Sequence, residues 1–397
     1  MRCMEKQIKL ANMHNCTGCR ACSNVCPTSS IKFALKGLHY YPVVNEDTCI
    51  KCGKCMNACS LLQWQVKHPS DTLPKAKYYC AWNVDSRKRF SSTSGGVGSA
   101  LAELALEKGW YVCGAAFDKE WNLAHIISNE NSIIDAIKGS KYLQSNTEGI
   151  YKKIKELLVE DNRVLFFGTP CQTDALRNSI PTRLRENLIL CEIICHGVNS
   201  PYVWKDYRKH LEEKYNSPLV RYNFRSKRKG WGKLRISYSF ENGNEKDVPA
   251  YRNIFHTWFG LHYMMRESCF RCPYRTATRY SDIVIGDFWG IESIRPSLDV
   301  KNGASVVVTN TLKGDTFLGE CDLKVTETEE TATLKVIKGY LDNTSEERKK
   351  MEIERMHQFE KNYATHSFEE MYKKLYPMET LFQKTTYSIL FHLHLKK

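Results

Sequence analysis

The sequence has no apolar run near the ~20 residues that a membrane-spanning helix requires, and its mean hydropathy is −0.46. Its first residues, Met1-Arg2-Cys3-Met4-Glu5-Lys6-Gln7, carry charge with no apolar stretch behind it. That argues against a secretory signal and for a cytoplasmic chain. No Gly-x-Gly-x-x-Gly fingerprint is present, so a standard dinucleotide fold is not indicated. No helix-turn-helix, zinc-finger or OB pattern accompanies the net charge of +14, so nucleic acid is not expected as a partner. The 397 residues suffice for two or three domains.

Cysteine, by contrast, is abundant, with 17 in the chain. In a chain without a signal, thiols point to metal binding before disulfides. Eight of them form two runs, Cys16-x2-Cys19-x2-Cys22-x3-Cys26-Pro27 and Cys49-x2-Cys52-x2-Cys55-x3-Cys59. Each run has the spacing of one half of a bacterial-type ferredoxin. Three thiolates on a short loop can hold three irons of a cubane, and the fourth is directed to the other cluster. The spacing therefore assigns Cys16, Cys19, Cys22 and Cys59 to one [4Fe-4S] cluster, and Cys49, Cys52, Cys55 and Cys26 to another. Gly18 and Gly53 lie inside the loops, where backbone must approach closely. Ser60 stands where the first run has its proline. Zinc would use paired cysteines, not two quartets of one irregular spacing.

The polar segment Lys67–Lys77 reads as a linker. Beyond it, strands are expected at Tyr78–Asn83, Trp110–Phe117, Leu123–Ser128, Arg163–Phe167, Leu188–Ile194, Val220–Phe224, Leu234–Phe240, Ile283–Ile285 and Ala304–Thr309. Helices are expected at Gly95–Lys108, Glu130–Lys138, Thr147–Glu160 and Pro201–Tyr215. The fold class is thus α+β or α/β: a ferredoxin-type domain over residues 1–70, then a mixed α/β core in two parts, 77–160 and 161–330. A helical basic tail, 331–397, ends in the amphipathic stretch Leu381–Lys397 and reads as a helix packed on the core.

Four further cysteines share a setting. Cys171 and Cys195 follow expected strands, where open α/β sheets bind ligands, and Cys269-x2-Cys272 is a pair. A third [4Fe-4S] cluster, a zinc site, a redox disulfide and unrelated thiols all fit this spacing. Cys3, Cys80, Cys113, Cys191 and Cys321 read as buried or incidental thiols. Ser91–Gly96, at the start of a helix, is a candidate anion cradle. The segment Gly139–Ser145 could hold a phosphate and stack on an isoalloxazine, or simply cap a helix. Gly286-Asp287-Phe288-Trp289-Gly290 follows another strand.

Taken together, Ser92-Thr93-Ser94-Gly95-Gly96, Gly139-Ser140-Lys141-Tyr142-Leu143-Gln144-Ser145, Gly168-Thr169-Pro170-Cys171-Gln172, Cys195-His196-Gly197-Val198, Phe224–Trp231, Cys269-x2-Cys272 and Gly286–Gly290 resemble the coenzyme F-420 hydrogenase/dehydrogenase beta-subunit family. The resemblance implies an FAD-dependent iron–sulfur oxidoreductase, with a flavin-binding core and a third [4Fe-4S] cluster at Cys171, Cys195, Cys269 and Cys272. It makes Ser92, Thr93, Ser94, Gly95, Gly96, Lys141, Tyr142, Gln144, Ser145, Thr169 and Gln172 expected FAD contacts. The cofactor charges then offset more than half of the +14.

On this reading electrons run from reduced ferredoxin or another low-potential donor, through the clusters and FAD, to an organic substrate. A nucleotide sugar or glycan intermediate of cell-surface polysaccharide synthesis is one candidate substrate. His196, then Asp287, is the expected proton donor. The basic stretch Arg221–Lys229 with Trp231 is expected to face an acidic ferredoxin or anionic ligand groups. The alternative is an electron-transfer subunit that serves a hydrogenase or dehydrogenase partner and reduces coenzyme F-420.

Overall fold

The computed structural model describes residues 8–64, 76–337 and 340–375. Cys3, most of Lys67–Lys77 and the stretch Leu381–Lys397 lie outside the described residues.

Each cysteine run turns into a short helix, Ala21–Asn24 and Lys54–Ala58. The loops before them pass through Gly18 and Gly53 at φ of +68° and +74°, conformations that a β-carbon opposes. Between the helices lies an antiparallel hairpin of β1 (Ile31–Lys36) and β2 (His39–Val44). This hairpin was not expected from the sequence, because its outward face interrupts the apolar alternation.

The rest of the chain supplies β3 (Lys77–Asn83), β4 (Tyr111–Phe117), β5 (Leu123–Ser128), β6 (Val164–Gly168), β7 (Leu188–Ile193), β8 (Leu219–Asn223), β9 (Arg235–Phe240), β10 (Glu245–Pro249), β11 (Ile283–Asp287), β12 (Ser305–Thr309) and β13 (Leu323–Thr328). Eight of these form one mixed sheet in the order β13-β3-β12-β11-β7-β6-β4-β5. Its centre, β11-β7-β6-β4, is parallel. The flanking pairs are antiparallel. The expected division between residues 160 and 161 therefore falls inside a single sheet.

Both faces of this sheet are covered. Leu165 and Phe167 of β6 and Ile189 of β7 pack with the helix Val97–Glu107. Val164, Phe166, Leu188 and Leu190 pack on the opposite side with helices Ile150–Val159 and Pro170–Ser179. Burial on both faces is why these strands read as unbroken apolar runs. A three-stranded sheet, β10-β9-β8, stands apart. It packs with the helices Pro201–Tyr215 and Ile254–Gly260 through Trp204, Trp258 and Phe224. The helix Glu346–Tyr363, capped by Ser345, returns across this cluster with Phe359 and Tyr363. No helix among the described residues is long and apolar enough to cross a membrane.

The structure corrects one expectation. The basic stretch Arg221–Lys229 is not a basic surface. Arg225 and Lys227 are buried, as is Trp231. Arg225 pairs with Asp287 at 2.9 Å, and Lys227 donates to the carbonyls of Arg89, Ser94 and Asn302. The stretch leaves β8 and enters the core, so only Arg221, Arg228 and Lys229 face solvent.

Three buried histidines, His39, His125 and His256, are held neutral inside the fold. Burial lowers His125 from near 6.5 to about 4, with Lys141 adding to the effect. Burial, with Arg225 nearby, lowers His256 to about 3. A base whose pKa is depressed by folding stabilises fully above its unfolded value, and that stability is lost as the pH falls. Stability is expected to be level above pH ~6.5 and to fall below it by about 1.4 kcal/mol per pH unit for each histidine. In denaturant titrations at a series of pH values, His125→Gln is expected to remove one proton from that slope. An unchanged slope would mean that His125 is not held neutral.

Candidate metal centres

Electrostatic interactions link eleven of the thiols in three sets. In the first, burial pushes the Cys19 thiol up to about 12, and the neighbouring Cys59 and Cys16 add to this. Cys22 is raised well above its ordinary value, by burial first and then by Cys19, Cys16 and Cys59. The four sulfurs are therefore close enough for their charges to interact. In the second, Cys55 is raised by burial, with further contributions from Cys26 and Cys52. Cys49 precedes Cys52 on the same loop. Burial also raises Cys26, but the Thr28 hydroxyl and the backbone amides of Ser30, Thr28 and Ile31 outweigh it, and the net shift is downward.

The third group joins segments that lie far apart in the sequence. Cys171 is in the first turn of the helix Pro170–Ser179, just beyond β6. Cys195 follows β7, and Cys269 closes a 3-10 turn, Glu267–Cys269. Burial raises Cys195 to about 12, with Cys269 and Cys272 adding to it. Cys171 is raised well above its ordinary value by burial, then Cys19, with Cys195 and Cys272 also contributing. Cys171 thus faces both its own group and the first one.

Every cysteine among the described residues is a free thiol. Buried thiols that push one another's pKa upward are unfavourable as thiolates unless a cationic centre compensates them. That donor chemistry suits a metal cluster, although among the described residues no three His, Cys, Asp or Glu side chains stand close enough to share a single ion. Cys80, Cys113 and Cys191 are fully buried in the sheet, and Cys321 donates to the Phe317 carbonyl.

The ferredoxin-type domain is held against the parallel end of the sheet by buried polar bonds. Arg266 is fully buried. Its Nε donates to the Cys16 carbonyl at 2.7 Å, its Nη1 to Gln144 Oε1 at 2.8 Å and its Nη2 to the Tyr40 carbonyl at 3.0 Å. Gln144 Nε2 donates to the Thr17 carbonyl at 2.8 Å. A β-carbon on Gly18 would lie 2.3 Å from that nitrogen, so only glycine allows the approach. Tyr274 donates to Asp174 at 2.9 Å and meets the Ser60 hydroxyl at 2.9 Å.

The expected FAD contacts are spread over several internal networks. Ser92 donates to the Lys88 carbonyl and Ser94 to the Ala304 carbonyl, and the Gly95 amide donates to the Ser305 hydroxyl. Thr93 accepts from the Ser140 amide. Gly96 caps the helix Val97–Glu107. Lys141 donates to the carbonyls of Ile137, Lys138 and Gly139. Tyr142 accepts from Arg225 at 3.1 Å. Thr169 and Gln172 form a capping box, and Gln172 donates to Ser145. Asp287 accepts from Arg225 and from Trp231 Nε1, and Trp231 stacks on Trp289 at 4.1 Å. A carboxylate held in this way is positioned to anchor a loop. His196 lies 2.7 Å from His262, which lies 3.1 Å from Glu352 on the returning helix.

Arg266, Tyr274, Asp174 and Ser60 were not identified from the sequence as site residues. Asp174, Ser60 and Tyr274 stand three, one and two residues after Cys171, Cys59 and Cys272. That adjacency is the only sequence signal they carry.

Two family models match the chain. Residues 161–335 match the family model for the C-terminal part of the coenzyme F-420 hydrogenase/dehydrogenase beta subunit. Residues 15–61 match a 4Fe-4S dicluster domain. The ferredoxin-like protein in nif region of Nostoc sp. is 35% identical over 63 residues, 14% of this chain and 52% of that protein. The chain thus spans about half the length of that curated relative. A chain of the xenon-derivatized F-420-reducing [NiFe] hydrogenase complex from Methanosarcina barkeri is 18% identical, with a TM-score of 0.43 over 72% of this chain and 90% of that one.

Replacing Arg266 with alanine strands two buried carbonyls and is expected to weaken docking of the ferredoxin-type domain by about 3–5 kcal/mol. Amide hydrogen exchange is expected to accelerate around Cys16–Gly18 and Tyr40–Tyr41 while the helix Val97–Glu107 keeps its protection. Uniform exchange across the chain, or none gained, would place the docking energy elsewhere.

Proposed function

The chain belongs to the coenzyme F-420 hydrogenase/dehydrogenase beta-subunit family and carries a ferredoxin-type 4Fe-4S domain, and on that premise we propose that it is the electron-transfer subunit of a hydrogenase- or dehydrogenase-type complex. In this reading it holds three [4Fe-4S] clusters. Their ligands are Cys16, Cys19, Cys22 and Cys59; then Cys26, Cys49, Cys52 and Cys55; then Cys171, Cys195, Cys269 and Cys272. The observation that carries the reading is Cys171, whose thiol interacts both with Cys195 and Cys272 and with Cys19 of the first group. A [4Fe-4S] cluster supplies transfer of one electron at a time.

The chain's own residues do the rest. Cys52 is exposed and its loop faces solvent, which suits exchange with a carrier protein. Cys19 and Cys171 are partly buried where the first and third groups meet. Arg266, Gln144 and Tyr274 fix the separation of these groups. The family's description points to a hydrogenase or dehydrogenase partner and to coenzyme F-420 as acceptor. FAD, which the resemblance implies, would be held by the segments Ser92–Gly96 and Lys141–Ser145, which also bond within the protein; an organic substrate forms no part of the proposal.

Anaerobically reconstituted protein is expected to bind about twelve irons per chain. Cys171→Ser and Cys269→Ser are each expected to remove about four and to leave the signals of the N-terminal pair. About eight irons in the wild type, or an unchanged count in both variants, would reject the third group as a cluster site. Copurification of a catalytic partner supports the complex. Turnover of an organic substrate by the isolated chain with reduced ferredoxin would overturn it.

A further inference from the structure

Between the hairpin β1–β2 and the helix Glu346–Tyr363 lies a cavity of about 640 Å³. Small-molecule sites fall in this size range. Its walls come from three parts of the chain. The ferredoxin-type domain supplies His14, Lys36 and Tyr41, the core supplies Tyr202 and Glu267, and the returning helix supplies His357 and Glu360.

Glu267 is the focus. It is met by His14 Nδ1 at 2.7 Å and by His357 Nε2 at 3.1 Å, one imidazole on each carboxylate oxygen. Both histidine side chains are about half exposed or more, at 66% and 49%. Exposed pairs of this kind contribute little to stability, so the fold itself gains little from bringing two imidazoles to one carboxylate. Glu360, across the cavity, has a carboxylate with no hydrogen-bond partner among the described residues. Burial and Glu267 raise its pKa above the ordinary carboxylate value, against His357.

The chemistry of the walls selects the ligand. Two carboxylates offer hydrogen-bond acceptors. Lys36 and Lys361, exposed at the rim, balance their charge. A ligand of either sign therefore meets a like charge. The tyrosine rings offer flat apolar faces. We propose that this cavity binds a neutral polyhydroxylated molecule, a monosaccharide or cyclitol, whose hydroxyls donate to Glu267 and Glu360 and whose C–H face packs on Tyr41 and Tyr202. The site does not depend on the electron-transfer reading, and either can fail without the other.

The test uses the full chain, anaerobically reconstituted, and isothermal titration with glucose, myo-inositol, glucosamine and glucuronate. Glucose or myo-inositol is expected to bind saturably, and the two charged sugars about tenfold more weakly or not at all. Ala364 lines the cavity from an exposed position after the helix. Ala364→Trp therefore fills the space without disturbing the core. It and Glu360→Gln are each expected to weaken the neutral ligand by about tenfold with iron content unchanged. Absence of saturable binding by both neutral probes would overturn the proposal. So would tighter binding of glucosamine or glucuronate, or binding undiminished in Ala364→Trp.

Discussion

The buried guanidinium of Arg266 is the constraint on which the arrangement of this molecule depends. Its three acceptors, two backbone carbonyls and a side-chain amide, are all neutral. A buried cation without a hydrogen-bonded carboxylate is costly unless negative charge lies close by. The Tyr41 ring, 4.2 Å from the guanidinium carbon, offers a cation–π contact. Arg266 binds the carbonyl of Cys16 and lowers the thiol of Cys269, whose net shift is nonetheless upward because of burial. One side chain thus favours thiolate character at the Cys269 group while bonding directly to the backbone of the Cys16 group. Docking of the small domain and the charge balance of the thiols are consequently one problem with one solution. Gln144 completes it by bonding both Arg266 and the Thr17 carbonyl.

That coupling explains why the sheet is parallel where it matters. Strands β6, β7 and β11 end on the same side, and Cys171, Cys195 and Asp287 stand at or just beyond those ends. Strand ends release the chain from the ladder and leave backbone and side chains free to converge. Cys269 and Cys272 reach the same place from a loop anchored by Arg266. Asp287 takes no part in that convergence. It fixes Arg225 and Trp231, and so closes the chain between β8 and β9 over the carboxyl end of β11.

Much of the fold was legible in the sequence because its signals are local. The spacing of Cys16 to Cys26 and of Cys49 to Cys59 needs only a few residues to be read, and Phe166 and Leu190 sit in apolar runs that only a doubly covered strand produces. Other features were not legible because they are settled at long range. Arg225 and Lys227 looked like surface charge, since composition does not distinguish a solvated cation from one satisfied by Asp287 or by three carbonyls. Lys141 and Gln144 also make bonds inside the protein that local sequence does not show. One caps a helix and the other bonds a loop more than a hundred residues away. The helix Pro170–Ser179 was missed for a related reason. Only Pro170 at its start and the Thr169–Gln172 box announce it, and its buried face includes Gln172, Thr173 and Asp174 in place of a hydrophobic stripe.

Ser60 shows how far a single departure from a repeat can be interpreted. Against the first cysteine run it is a missing proline, and on local grounds its effect is limited to chain direction. In the fold its hydroxyl meets Tyr274, which donates to Asp174. The three residues are buried, and each follows a cysteine of the first or third group within three positions. Proline has no side-chain donor or acceptor, so the expected residue would have left the Tyr274 oxygen with one partner fewer in a water-poor site. The serine therefore belongs to the junction between the two domains, and the departure from the repeat is a consequence of fusing a ferredoxin-type unit to this sheet. An autonomous ferredoxin has no sheet to meet at that position and needs only the turn.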